Sequence, residues 1–418
     1  MIKHIFKQIW AQRAVNAWLW AELIVVSVCL SYVVDYLYTT GRTYFSPLGF
    51  NTEHVYRVSI GSVSNASKEF LAGQSDSLSV AHCFDILTRL RAYPGVEAAS
   101  VSVSSHPYNQ SSSDGSRGID TIWVHGHMFM VSPEFFRVFR VTDKQGQIEP
   151  LVSASTQPGA FIMSADAERK FADSGIKALG TAVKKWGEEE PTLKTVAICS
   201  EMRFNEFYDA YPTYYMCNSE VNIFKGYGAH AEYCIRVRPE ADDAAFLANF
   251  RKAMKTQLRL GNFYLMDVTS FADIRDNYFR SNGVINDVKT RIAGLAFLLV
   301  NIFLGVIGTF WIRTQQRRGE MGLRLALGST RDGIRGLLVG EGLMLLVLAM
   351  IPVVLIDANV VHFGLLEEEG EESTFTVVRF LMDMGITFFL MAMMIVVGIL
   401  LPARQAMKIK PAEALHEQ

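Results

Sequence analysis

Two histidines one residue apart, His125 and His127, would fall on one face of a strand and could offer two imidazoles to a metal ion. No third ligand follows at a matching spacing, so the pair reads as incidental. Cys83, Cys199, Cys217 and Cys234 lie in one polar stretch and leave three pairings open, or none, with Cys199 and Cys234 on apparent strands as small buried residues. Cys29 falls in an apolar run and reads as filler. No G-x-S-x-G, H-E-x-x-H, paired-carboxylate site or G-x-x-x-x-G-K-[ST] phosphate loop is present. Catalysis by this chain itself is therefore not expected, and no cofactor or metal is called for.

The polar residues that stand out instead are those in apolar surroundings. Glu22, Glu341 and Asn301 fall inside long apolar runs, where a polar group is a functional hypothesis by default. Glu22 and Glu341 each lie about a turn from a run's basic end. They either anchor helix contacts, touch the basic loop described below, or snorkel to headgroup depth. Asn301, mid-run, is a candidate for a hydrogen bond across a dimer. Gly294, Gly305 and Gly308 are candidates for close helix packing, and Pro352 for a bend.

The elements that must carry these residues follow from composition. The chain has 418 residues, 50% hydrophobic yet 20% charged, with a net charge of -2. That suits a few membrane helices plus a sizeable water-soluble part and gives no global attraction to nucleic acid. A span needs about 20 mostly apolar residues. Four stretches qualify, at 19–38, 286–312, 337–356 and 380–401. The first could instead be a cleaved leader. Against that, its basic approach (residues 1–18) is long and amphipathic, with Ile5, Ile9, Trp10 and Val15 among Lys3, Lys7 and Arg13, and no A-x-A-like site follows.

Lys and Arg near span ends favour the cytoplasm. The entry, the loop 313–336 and the tail 402–418 are all basic. The loop 357–379 holds Glu367, Glu368, Glu369, Glu371 and Glu372 against Arg379. Span parity and charge bias together place both termini inside and residues 39–285 outside.

The outer region reads as an α+β domain with a second module inserted over about 115–225. Strands are expected at Val55–Ile60, Val96–Val103, Ile119–His125 and Glu232–Arg238, and helices at Ala81–Arg91 and Asp242–Leu258. Ser132-Pro133-Glu134 reads as a helix start with Ser132 as N-cap, which puts Phe135, Phe136 and Phe139 on one face. Ser100–Gly118, rich in Ser, Asn and Gly, reads as a mobile loop.

Between the second and third spans stands Arg317-Arg318-Gly319-Glu320-Met321-Gly322-Leu323-Arg324-Leu325-Ala326-Leu327-Gly328-Ser329-Thr330-Arg331-Asp332. Met321, Leu323 to Leu325 and Leu327 give a short helix an apolar face; Gly328 suits its C-terminal cap and Ser329-Thr330-x-Asp332 restarts the chain toward the next span. Such an element suits either transmission of force between spans or simple headgroup contact.

This segment resembles the signature of FtsX-like permeases, the family of MacB-type exporters and lipoprotein-releasing permeases. Arg317, Arg318, Glu320, Gly322, Arg324, Ala326, Leu327 and Gly328 carry the match. Leu401-Pro402-Ala403-Arg404 through Ala414-Leu415 is similar to the family's ending, and Val131-Ser132-Pro133-Glu134-Phe135-Phe136 to a phrase of its periplasmic region. The resemblance implies a four-helix permease with a MacB-like periplasmic domain, its FtsX-like part about 286–411, in the bacterial inner membrane. It implies a dimer with a second copy or paralogue, docked on a separate ABC ATPase through those eight loop residues. It also implies export or release of an envelope substrate, with a periplasmic adaptor and outer-membrane channel as further partners. The alternative is a transmembrane scaffold that activates a cell-wall hydrolase without transport; a weaker third is a membrane sensor with no ATPase.

Overall fold

The computed structural model describes residues 13–109, 113–187, 190–363 and 376–406, without the side chains of 13–16, 318, 326 and 401–406. The amphipathic entry before residue 13, the acidic loop and the tail beyond 406 lie outside the described residues. The chain divides into two compact units, Thr43–Ile285 and Met1–Arg42 with Asn286–Gln418.

In chain order the elements are α1 (Arg13–Phe45), β1 (Val55–Ser62), α2 (Asp76–Ala92), β2 (Val96–Val103), β3 (Asp114–Ile119), β4 (Ile122–Val131), α3 (Phe135–Val138) and α4 (Glu149–Ser155). Then come β5 (Ala160–Ser164), α5 (Ala165–Asp173), β6 (Ala182–Lys185), β7 (Leu193–Cys199), β8 (Thr213–Cys217), α6 (Glu220–Tyr227), β9 (Glu232–Val237), α7 (Phe246–Gln257) and β10 (Phe263–Ser270). The chain continues with α8 (Phe271–Ser281), α9 (Val284–Gln316), α10 (Arg318–Ala326), α11 (Arg331–His362) and α12 (Val377–Ala406).

The soluble unit is built on one mixed sheet in the order β10-β1-β9-β2-β4-β3-β6-β7-β5-β8. An antiparallel layer, β10-β1-β9-β2, buries Val58, Val101, Tyr233 and Val268 beneath α2, α6 and α7. Beyond it the sheet closes on itself, because β4 also pairs in parallel with β8. The ring uses residues 114–217 and packs Val124, Phe161, Met163, Phe171 and Tyr214 inside. It joins the open layer through Ser102↔Val131 and Val103↔Met130.

Several local expectations are corrected. Ile119–His125 is not one strand. Asp120 adopts φ 56°, and Ile119 pairs with Ile122, so two residues turn β3 back into β4. Asp tolerates that left-handed position well enough to make a tight hairpin. The Ser100–Gly118 segment is accordingly strand at both ends. Ser132 caps no helix: its hydroxyl accepts from the Val101 amide at 3.1 Å and ties the β4 exit to β2. Phe135, Phe136 and Phe139 are nonetheless buried together. α2 begins earlier than expected, where the Ser75 hydroxyl accepts from the Leu78 amide. Asp242 precedes α7 and instead receives the Tyr56 hydroxyl at 2.5 Å and pairs with His54 at 2.6 Å. Cys29, Cys83, Cys199, Cys217 and Cys234 are free thiols, so no disulfide forms among them.

The other unit holds four helices long and apolar enough to cross a membrane: Ala17–Phe45, Val284–Gln316, Arg331–His362 and Val377–Leu400. Each outruns the apolar stretch read from sequence, because hydropathy marks only the part suited to hydrocarbon while the helical hydrogen bonds continue into polar flanks. α1 passes residue 18 without a break and α11 continues through Pro352. Leu19, Leu23, Ile302, Val306, Leu345, Leu346, Met391 and Ile395 form the shared core. Gly294, Gly305 and Gly308 have open space around them, against expectation. The tight contacts fall at Gly342, where a Cβ would come within 2.8 Å of Ile395, and at Gly398, within 3.1 Å of the Ile307 backbone.

Candidate functional site

α10 is set by its two ends. At its C-terminus Gly328 takes φ 93°; its amide bonds the Leu325 carbonyl at 3.1 Å while the Ser329 amide bonds Arg324 at 3.0 Å. These two bonds are the Schellman pattern, which a residue with a Cβ would strain. Two residues later the Thr330 hydroxyl accepts from the Gly333 amide at 3.1 Å and starts α11. The restart thus uses Thr330, while Asp332 pairs with Arg335 at 2.7 Å.

The short helix is divided lengthwise. Met321 is buried in the four-helix core and Leu325 packs against it. Leu323 and Leu327, also four residues apart, are 53% and 79% exposed. The expected single apolar face is therefore two, because side chains four apart share a helix face and those two apart do not. Gly322 is buried, and the side chains of Arg318 and Ala326 lie outside the described set.

A continuous chain of charge joins α10 to its neighbours. Glu341 of α11, only 2% exposed, receives Arg313 of α9 at 2.8 Å and Arg317 at 2.6 Å. Arg317, at the α9–α10 junction, also bonds Glu320 at 2.8 and 3.2 Å. Glu320 in turn receives Arg324 at 2.7 Å. The bond from Arg317 holds the Glu320 carboxyl below the usual carboxylate range. Beside Glu341, the missing Cβ of Gly342 lets Phe310, Ile395 and Ile399 close over the site. Residues scattered over 313–341 thus meet at one point: three guanidinium groups share two carboxylates, and the Arg317 fork touches both.

The family comparison adds what geometry alone does not. Residues 292–411 match the family model described as FtsX-like permease C-terminal. The chain carries an FtsX-like permease domain. All of the charge chain lies within that permease domain. Among solved structures, the periplasmic region of MacB from Actinobacillus actinomycetemcomitans is similar at 11% identity, covering 56% of this chain and 96% of that one, with a TM-score of 0.35. The extracellular domain of the noncanonic ABC-type transporter YknZ from Gram-positive bacteria is similar at 11% identity over 51% of this chain and 100% of that one, with a TM-score of 0.31. Likeness at that level carries no functional argument. No curated protein matches the chain.

The other polar residues fall elsewhere. Glu22 of α1 accepts from the Thr309 hydroxyl of α9 at 2.9 Å, a helix-to-helix contact. Asn301 gives its amide to the Phe297 carbonyl of its own helix at 2.7 Å. His127 pairs with Asp114 at 2.5 Å, and His125 lies 3.3 Å from the Ser116 hydroxyl. Among the described residues no group of three or more His, Cys, Asp or Glu could hold a metal. Sequence reasoning missed Arg313 as a ligand of Glu341, the Asp35–Arg379 pair at 2.7 Å, and the buried Asp357 and Asp383. Acids within long helices were the available signal. Asp357 escaped it because the third span was ended at residue 356, one residue short.

Proposed function

We propose that this chain is the permease subunit of an ABC-type complex in a bacterial inner membrane, working with an ATPase on a separate polypeptide. Both termini and α10 face the cytoplasm, and the soluble unit faces outward. α10 docks on the ATPase through its exposed Leu323 and Leu327 and the adjoining basic residues. Its opposite face, Met321 and Leu325, stays in the four-helix core. The observation that carries the reading is the chain Arg324–Glu320–Arg317–Glu341, which ties the docking helix to α11 at a buried carboxylate. A displaced α10 must then move α11 or break a buried ion pair, which costs about 3–5 kcal/mol. The motion is passed to the outer unit, in a dimer, for export or release of an envelope substrate.

Reconstitution with a separate ABC ATPase subunit from the same organism tests the reading. Stimulated ATP hydrolysis is expected in the wild type and lost in Glu320→Ala, Arg324→Ala and Gly328→Pro, with membrane insertion intact. Normal stimulation in all three variants would sink it. Protease or cysteine-labelling mapping that put α10 on the same side as residues 43–285 would sink it too.

A further inference from the structure

Two chain segments enter and leave the soluble unit, and both are held by one short loop. Residues 203–209 lie between β7 and β8, so they belong to the strand ring. A bridge between Arg203 and Ala210, with the Tyr211 amide on the Met202 carbonyl at 3.0 Å, closes the loop at its base. Arg203, 5% exposed, sets the loop's shape: its Nε donates to the Tyr208 carbonyl at 2.8 Å and its Nη2 to the Glu206 carbonyl at 2.7 Å. Its Nη1 reaches out of the loop to the Ser46 carbonyl at 2.7 Å, and its backbone amide to the Leu48 carbonyl at 3.1 Å. Asp209 accepts from the buried hydroxyl of Thr43, in the last turn of α1, at 2.9 Å. On its other side the loop grips α8, which leads into α9. Glu206 receives Arg275 at 2.6 Å, and Asn205, 0% exposed, donates to the Tyr278 hydroxyl at 3.4 Å. The Phe207 ring serves both segments, 5.4 Å from Tyr44 and 5.6 Å from Phe279.

The covalent chain ties the same segments to a different body. The entering segment runs on to β1 and α8 follows directly from β10, and β1 pairs with β10 in the open layer. The ring meets that layer through the short β2–β4 pairing. Each segment thus belongs to the open layer by peptide bonds and to the ring by the loop. Charge-assisted bonds from one buried guanidinium to carbonyls of both loop and segment are strong, and breaking them strands buried polar groups. We propose that loop 203–209 is a joint that makes residues 43–48 and α8 move with the ring as one body, with Arg203 and Glu206 as its positioning residues. Its use in transmission rests on the permease reading: a displaced α1 or α9 then moves the ring directly. The joint itself does not need that reading.

The joint is tested on the full chain alone, in lipid nanodiscs, by amide hydrogen exchange. Arg203→Ala is expected to speed exchange by about tenfold in residues 43–48 and 275–282 together, while β5 and β8 keep their wild-type rates. Thr43→Val removes one hydroxyl and keeps the side chain's shape, so it serves if Arg203→Ala loosens the ring as a whole. It should speed residues 43–48 by about threefold. Unchanged exchange of both segments in Arg203→Ala, or of 43–48 in Thr43→Val, overturns the joint. A second arm adds a separate ABC ATPase subunit and ATP. In the wild type nucleotide is expected to alter exchange in both segments and in the ring; in Arg203→Ala the ring's response is lost while stimulated hydrolysis remains. A ring response that survives in Arg203→Ala overturns the proposal as well. Failure of the wild type to stimulate hydrolysis counts against the permease reading alone, and the first arm then decides the joint.

Discussion

At the α10 end of the four-helix unit, three guanidinium groups share two carboxylates; at the Asp35 end, Arg379 grips Asp35, while Asp357 and Asp383 lie buried in the same helices. Both groups sit on the same kind of apolar helix, so the difference is one of hydrogen-bond partners. The first is a mechanical tie: Glu341 is saturated by Arg313 and Arg317, and the geometry is fixed from both sides. The second leaves Asp357 Oδ2 and Asp383 Oδ1 buried with no hydrogen-bond partner among the described residues. A saturated cluster resists change, whereas an unsatisfied one answers to what binds it.

The contrast is broken most forcefully at Glu341. Glu341→Ala removes the buried carboxylate that Arg313 and Arg317 share, leaving Arg317 with Glu320, and should cost about 3–5 kcal/mol, read as a large fall in the thermal midpoint of the full chain. Asp383→Asn, at another buried site, should leave the midpoint unchanged or raise it. Equal losses in the two variants would erase the distinction.

The soluble unit offers a sharper control in Asp166, another buried acid, whose Oδ2 has no hydrogen-bond partner among the described residues. Burial pushes its carboxyl up to about 6 from an ordinary 3.8. The folded state then holds a proton that the unfolded chain has released, so stability must fall as pH rises from 3.8 toward 6. The loss should be roughly 2–3 kcal/mol across that window. Comparing pH-dependent unfolding of the wild type with Asp166→Asn should show it as a slope present only in the wild type.

Gly342→Ala tests how tightly the first cluster is roofed. A methyl there meets Ile395 at 2.8 Å and Ile399 at 2.9 Å, both branched and packed, so a loss of about 1–3 kcal/mol is expected. The smallest effect belongs to Arg324→Ala. Its pair with Glu320 is partly exposed on both sides, and should contribute under about 1 kcal/mol to the midpoint. Its stimulated ATP hydrolysis should still be lost, which would separate transmission from stability.

What was legible in the sequence was local. Gly328 and Thr330 cap adjacent helices through bonds that span five residues or fewer, so residue type alone located them. The four apolar stretches were legible for a similar reason, since length and hydropathy are summed along the chain. The Asp120 turn was missed although it is local, because the apolar residues on either side continue the strand alternation through it. Ser132 was misread because its partner, the Val101 amide, lies 31 residues away.

By itself, then, the sequence determined where the short helix α10 stops and α11 starts, how many stretches are long and apolar enough to cross a membrane, and that residues 317–328 form a short capped element between two of them. Only the tertiary structure decided that β4 pairs with β8 to close a ring, that Glu341 receives arginines 24 and 28 residues away, and that Asp357 and Asp383 are buried. The physical reason is the range of the interactions. Capping and hydropathy are fixed by neighbours in the chain, while charge balance depends on which helices pack together, and no spacing along one helix encodes that.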